Sequence, residues 1–295
     1  MPQINSYVSD RRKRRRKVRI YVLGVLAFLF VYLIFAGTFW CIFHAPFFRV
    51  DNIVIQGNQT VSSADVTSLL QASIINSGDI AGGKHSGLKA LLGMDNMLVW
   101  PTTIISSSDL AIIPQLENVS ISKDYWAHTV TVNVTERNIF AIWCFDTGDS
   151  AAATATTTAP STDIVTGEQC YSFDNTGTIF ERTLDTQGGA IPVVHDYSQK
   201  IRGLNEQVLP AEFVQNLISI INVVHATGLP VTSIALNDIS LEQINVTTVN
   251  GPVIYFSLRF PADEDLPVIQ SLMQQPGFDK IGYIDCTTQN RLYYK

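Results

Sequence analysis

Charge is missing from one long stretch of this sequence, which excludes that stretch from an ordinary water-facing surface. From Ile20 to Phe43 there is no Asp, Glu, Lys or Arg in 24 residues. Cysteine and histidine are also scarce. The four cysteines have no pair at metal-ligand spacing, and the five histidines (His44, His85, His128, His195, His225) are scattered. A sequence-local zinc framework is thereby excluded. There is no Gly-x-Ser-x-Gly elbow and no internal repeat. Acids are plentiful, but whether two of them face each other as in a glycosidase cannot be read from spacing.

The nearest approach to a catalytic signature is Gly78-Asp79-Ile80-Ala81-Gly82-Gly83-Lys84-His85. It matches the phosphate-loop pattern up to the last place, where His85 replaces the Ser or Thr that binds magnesium. No buried strand is legible in the preceding residues 72–77, so a glycine-rich surface loop is the expectation. Asn58, Asn118, Asn133 and Asn245 each begin an Asn-x-Ser/Thr triplet, a pattern that chance supplies in a chain rich in Ser and Thr. Nothing here demands catalysis. The expectation is a protein without enzymatic activity, cofactor or metal.

What is present is a sharply divided charge. Arg11, Arg12, Lys13, Arg14, Arg15, Arg16, Lys17 and Arg19 stand in the first 19 positions against one acid, Asp10, whereas the remainder holds 12 basic and 25 acidic residues. The net charge of −6 describes neither part. A basic run beside an apolar run is a topology signal, because Lys and Arg are retained on the cytoplasmic side of a span. The same run attracts anionic lipid at about 1 kcal/mol per residue near the surface. A nucleic-acid patch fits less well, since no aromatic side chains interleave the charges.

At about 1.5 Å per residue the uncharged run reaches roughly 36 Å, enough to cross a ~30 Å hydrocarbon core with tilt. Tyr21 and Trp40 near its ends suit the membrane interface. A cleaved signal has an apolar core of only about 7–15 residues and a small-x-small site, which Thr38-Phe39-Trp40 does not provide. The expected layout is a basic cytoplasmic tail (1–19), a single uncleaved span (20–43) and an acidic bulk outside. Cys41 lies in the span, while Cys144, Cys170 and Cys286 then face an oxidising compartment. Cys144 and Cys170 flank a flexible stretch and could be bridged across a hairpin; three buried free thiols is an equal alternative.

Beyond the span the texture is α+β. Arg49 to Gln56 reads as a strand closed by Gly57-Asn58. Ser62-Ser63-Ala64-Asp65 then opens a helix with Val66, Leu69 and Leu70 on one face. Ser106-Ser107-Ser108-Asp109 opens a second, short helix around Leu110 to Ile113. Val119 and Ile121 alternate with serines, and Val130, Val132 and Val134 alternate with polar residues, giving two strands wet on one face. The Ala/Thr-rich stretch within 146–169 cannot build a core and interrupts a hairpin of Phe140–Phe145 and Cys170–Phe173. A long helix begins after Pro210 and stops at Gly228, with Phe213, Leu217, Ile221 and Val224 on its apolar face. The strand around Ile254 to Phe260, a helix near 265–275, and strands Ile281–Cys286 and Arg291–Tyr294 complete the chain.

Several strings, in order, resemble the bacterial cell-division family FtsQ/DivIB. Phe48 to Asn58 looks like the opening strand and Gly-Asn turn of its polypeptide-transport-associated (POTRA) domain, and Val61 to Val66 like the first helix start. Pro114 to Val119 resembles the family's Pro-x-Val stretch, and Thr129 to Arg137 its strand ending in Glu-Arg. Phe173 to Phe180 is similar to an Asp-x-x-Gly-x-x-Phe hairpin, and Ile191-Pro192-Val193-Val194 and Tyr283-Ile284-Asp285 match later landmarks. The stretch from Gly78 to Trp100 and the Ala/Thr-rich loop look like insertions, and Cys286 stands where an aliphatic residue is usual.

The resemblance implies a β-α-α-β-β POTRA domain at 48–136 and a second mixed, β-rich domain at 137–295, with an antiparallel sheet and flanking helices. It also implies a non-enzymatic scaffold at the division septum of the cytoplasmic membrane. Such a scaffold binds small single-pass coiled-coil division proteins, FtsL-like and FtsB/DivIC-like, and regulates septal peptidoglycan synthesis; no nucleic acid is expected. The family's FtsB contact corresponds to Tyr283, Thr287, Thr288, Asn290, Arg291, Leu292, Tyr293 and Tyr294. Physically, a terminal edge strand offers unpaired N–H and C=O groups to a partner segment. Other readings are a membrane-anchored secretion or adhesion module with the same first domain, or an extracytoplasmic wall hydrolase.

Overall fold

The computed structural model describes residues 5–44, 46–76, 79–80, 83–84, 93–101, 107–145, 169–184, 191–198 and 201–295. Half of the phosphate-loop-like string (Gly78, Ala81, Gly82 and His85) lies outside the described residues, as do Ser106 and all but the last residue of the 146–169 stretch. The chain divides into two compact units, one made of residues 1–58, 62–105 and 119–134, the other of 59–61, 106–118 and 135–295.

The chain begins with α1 (Asn5–His44). Its segment Lys17–Cys41 holds an 18-residue window with a mean hydropathy of 2.5 and is long and apolar enough to cross a membrane. Apolar side chains from Val18 to Trp40 are exposed along it, a surface that water does not favour. After a single 3-10 turn at Pro46–Phe48 comes β1 (Asn52–Gln56). The helix α2 (Ser63–Asn76) starts where Ser62 Oγ accepts the Asp65 N–H (3.1 Å) and donates to the Asp65 carboxylate (2.7 Å). Val66, Leu69 and Leu70 are buried on its inner face.

A two-residue ribbon comes next, β2 (Asp79–Ile80) with β3 (Gly83–Lys84). The helix α3 (Ser107–Leu110) is a single turn. It stops well short of Ile113, because Ile112, Ile113 and Leu116 take up turn hydrogen bonds ahead of the next strand. Strands β4 (Leu116–Asp124) and β5 (Thr129–Glu136) are joined by a four-residue turn, and the sheet order is β1-β5-β4 with β1 parallel to β5. Val130, Val132 and Val134 all point inward. Gly57 turns the chain at the end of β1 with φ +88°, where a Cβ would lie 2.2 Å from the Val134 carbonyl oxygen.

The second unit is built on a nine-stranded sheet. Its strands are β6 (Ala141–Phe145), β7 (Gln169–Phe173), β8 (Ile179–Thr183), β9 (Val193–Asp196), β10 (Val231–Leu236), β11 (Gln243–Thr248), β12 (Val253–Ser257), β13 (Tyr283–Thr288) and β14 (Arg291–Tyr294). The order is β14-β13-β12-β11-β10-β9-β6-β7-β8. Helices α4 (Ala211–Thr227) and α5 (Leu266–Met273) accompany it. The expectation of an antiparallel sheet is corrected here, because β6–β9, β9–β10 and β12–β13 are parallel pairs. The helices explain two of these pairings. α4 carries the chain from β9 to β10 and α5 from β12 to β13, and a crossover through a helix returns the chain in the same direction. Alternation of apolar residues reports which face is buried but carries no strand direction.

Register makes one face of this sheet the core. Trp143, Val194, Ile234, Val246, Ile254 and Ile284 lie in a row of paired positions across six strands, and each is buried in a single cluster. Val214, Leu217, Ile221 and Val224 of α4 and Ile269 and Leu272 of α5 join that cluster. α4 ends at Gly228 in the left-handed region, φ 68°. The opposite face carries the disulfide Cys144–Cys170, formed between directly paired residues of β6 and β7. Cys286 is a buried free thiol and Cys41 an exposed one.

Candidate partner-binding edge

β14 ends the nine-stranded sheet, pairing with β13 on one side and, among the described residues, with no strand on the other. A tight turn at Gln289 and Asn290 joins the two strands, with Asn290 at φ 60°, a conformation that Asn tolerates better than most residues. Asp285 stiffens the turn approach, since its Oδ1 accepts both the N–H (2.9 Å) and the hydroxyl (2.6 Å) of Thr287. The ladder pairs Ile284 with Tyr294, Asp285 with Tyr293 and Thr288 with Arg291, with a register shift between Asp285 and Thr288.

The hydrogen-bond phase of this hairpin determines what the edge offers. Lys295 exchanges backbone bonds with Tyr283, donating at 3.3 Å and accepting at 3.4 Å. Bonded and non-bonded pairs alternate in an antiparallel ladder, so Asp285–Tyr293 is the next bonded pair. The backbone N–H and C=O of Tyr294 therefore point away from β13, toward the open side. Side chains obey the same alternation. Leu292 and Tyr294 take one face of β14, with Leu292 half-buried against the core cluster, and Tyr293 takes the other face with Tyr283; Tyr283, Tyr293 and Tyr294 are 38%, 50% and 53% exposed. Thr288 and Arg291 are exposed at the turn, and Thr287 is intermediate.

All eight residues read from the sequence for this site thus belong to one hairpin, on the two terminal strands and their turn. Sequence reasoning missed Tyr255. It lies on β12 facing the same side as Tyr283, their ring centroids 6.3 Å apart. Its place among the polar positions of the Ile254–Phe256–Leu258 alternation was the available signal. Behind the edge, burial pushes the Cys286 thiol far above the usual range, with the negative charges of Asp265 and Asp285 adding to the effect. It stays a neutral filler of the core. Asp265, half-buried beside Glu264, is itself raised to about 6, first by burial and then by that neighbouring charge.

The two other motifs singled out in the sequence turn out to be structural fasteners. Glu136 accepts the backbone N–H groups of Gln59 (2.7 Å), Thr60 (3.0 and 3.1 Å) and Val61 (2.9 Å), together with the Thr60 hydroxyl. Burial alone would raise its pKa, but these donors outweigh it and hold the carboxyl at about 2. Arg137 pairs with Asp174 and donates from Nε to the Pro114 carbonyl oxygen (3.1 Å). Asp174 Oδ1 in turn accepts the Thr176 N–H (2.8 Å) and hydroxyl (2.6 Å) and the Thr178 N–H (3.0 Å). Burial works against the Asp174 charge, yet these bonds and Arg137 bring its pKa below the ordinary value.

Among the described residues no group of three or more His, Cys, Asp or Glu side chains could hold a metal ion. The basic residues Arg11, Arg12, Lys13, Arg14, Arg15, Arg16, Lys17 and Arg19 occupy the N-terminal turns of α1. Compared with models of known protein families and with curated proteins, the chain matches none.

Proposed function

We propose that this chain is a membrane-anchored, non-enzymatic scaffold of the bacterial division machinery, of the FtsQ/DivIB type. In this reading the basic end of α1 stays in the cytoplasm and the β-containing units act outside it, at the septum of the cytoplasmic membrane. Residues 48–136 are a POTRA domain, and the β1, α2, α3, β4, β5 sequence with strand order β1-β5-β4 supports that assignment. The nine-stranded unit holds FtsB/DivIC-like and FtsL-like partners and relays their state to septal peptidoglycan synthesis.

The observation that carries the proposal is β14. It is a terminal strand with outward N–H and C=O groups at Tyr294, flanked by exposed tyrosines. A partner strand added there gains main-chain hydrogen bonds, while Tyr283, Tyr255 and Tyr293 supply apolar area with polar tips. Tyr294→Pro tests it. Proline removes an outward donor without taking a bond from the β13–β14 ladder, and edge positions tolerate it. Tagged full-length protein carrying Tyr294→Pro, or lacking Arg291 to Lys295, is expected to lose co-purification of small single-pass coiled-coil proteins while its thermal unfolding is unchanged. Retained capture would remove the edge site. Depletion of the protein is expected to leave long undivided cells; normal division with a surface defect would point instead to a secretion or adhesion module.

A further inference from the structure

An exposed aromatic cluster stands close to the end of α1, and the scaffold reading leaves it without a task. Phe47, three residues past the last helical residue, stacks on Tyr125 (centroids 5.5 Å apart, planes at 13°) and meets Trp126 edge-on at 6.0 Å. Trp126 is 88% exposed and Phe47 43%. An indole so open to water needs a reason, because burying it against apolar matter is strongly favourable.

The cluster is held in place. In the β4–β5 turn, Asp124 Oδ1 accepts the N–H groups of Trp126 and Ala127, both at 2.9 Å, and the Thr129 hydroxyl donates to the Ala127 carbonyl oxygen at 2.9 Å. His128 takes a left-handed conformation, φ 51°, and its carbonyl oxygen accepts the Asp51 N–H (2.8 Å). On the other side the Phe48 carbonyl oxygen accepts the Met97 N–H (2.7 Å), and the Val50 N–H donates to the Asp95 carbonyl oxygen (2.8 Å). Three aromatic rings are thus presented together by fixed backbone.

We infer that Phe47, Tyr125 and Trp126 seat the first unit on the lipid surface, with their rings at the boundary of headgroups and acyl chains. The inference rests on reading α1 as a retained membrane span. Three residues of chain span at most roughly 11 Å, and the helix from Cys41 to His44 adds about 4.5 Å, so the cluster lies within ~15 Å of the end of the apolar segment. That segment, 25 residues long, overfills a ~30 Å hydrocarbon core, and the resulting tilt brings its end closer to the bilayer plane. Trp and Tyr are the side chains that favour this depth. Arg49 adjoins the cluster with a side chain 73% exposed and paired through Nε with Asp51 (3.3 Å); its stem can lie along the surface while its terminal guanidinium nitrogens meet lipid phosphate. The lipid surface continues from the span itself, so this occupant needs no further partner.

The test uses the full chain in phosphatidylcholine vesicles. Trp40→Phe removes the indole inside the span, and Trp100 and Trp143 are 2% and 0% exposed, so the difference between Trp40→Phe and Trp40→Phe/Trp126→Phe isolates Trp126 emission. Lipid spin-labelled near the headgroup is expected to quench that component at least twofold, with acrylamide access reduced several-fold from that of a free indole. Full acrylamide access without lipid quenching overturns the inference. So does a photo-crosslinker placed at position 126 in native membranes that captures protein instead of lipid. An alkaline carbonate wash separates the two readings: chain released into the supernatant refutes the retained span, whereas chain kept in the membrane with a water-exposed Trp126 refutes only the lipid seat.

Discussion

Replacing Glu136 with glutamine should uncover one of the principal fasteners of the chain. The side chain receives three successive backbone N–H groups and a hydroxyl from residues 59–61, more than 70 positions earlier. Its carboxyl is held at about 2 against an ordinary 4.5, a gap of about 2.5 pH units. At about 1.36 kcal/mol per unit the linkage is worth at most ~3.4 kcal/mol, and because the group is partly exposed, solvent screening reduces this to about 2 kcal/mol. The sign is set by the depressed value: the stabilisation is complete above about pH 4.5 and is lost as pH falls through about 2.

Glutamine keeps one acceptor oxygen but no charge, so it should lower stability at neutral pH by about 2 kcal/mol, or about 4–8 °C in Tm for a unit of this size. The assay is denaturant unfolding of the detergent-solubilised chain, monitored by tryptophan fluorescence from neutral pH down to about pH 2. The difference between wild type and variant should close as the pH falls below about 4.5. A neutral-pH difference under about 0.5 kcal/mol, or one that persists unchanged into acid, would refute the reasoning.

Neighbouring contacts give further expected outcomes. Asp174→Ala should destabilise the second unit by about 3 kcal/mol, measured by chemical denaturation, because it strands the largely buried Arg137 cation; wild-type stability would mean that Arg137 finds another acceptor. Reducing the Cys144–Cys170 disulfide, or making Cys170→Ala, releases a loop of 26 residues' separation and should cost about 3.5 kcal/mol in a chain-entropy treatment, read as a lower Tm under reductant. Asp265→Asn should stabilise the protein. The raised pKa of about 6 means that the Asp265 contribution is complete below about pH 3.8 and lost as pH rises through 6. The variant should gain about 1 kcal/mol at neutral pH after allowance for solvent screening and nothing near pH 3.8, as unfolding titrations at the two pH values will show.

What residue order alone determined was local. The uncharged run of α1, the serine cap of α2, the alternation of β5 and the Gly228 stop of α4 each depend on side-chain sterics and hydrogen bonds within a few positions, so they could be read directly. The two strands of the candidate edge, Ile281–Cys286 and Arg291–Tyr294, were legible for the same reason, whereas the choice of its eight residues came from the resemblance to FtsQ/DivIB. The character of β14 as an edge was not legible. That β14 ends the sheet, that Tyr294 turns its backbone outward, and that Tyr255 lies beside Tyr283 are all consequences of strand order and register. The parallel pairs in the second unit, the Glu136 cradle and the meeting of Phe47 with Trp126 are of the same kind. Each joins residues far apart in the chain, and such pairings are selected by which distant surfaces bury each other best, a competition that no short window of sequence contains.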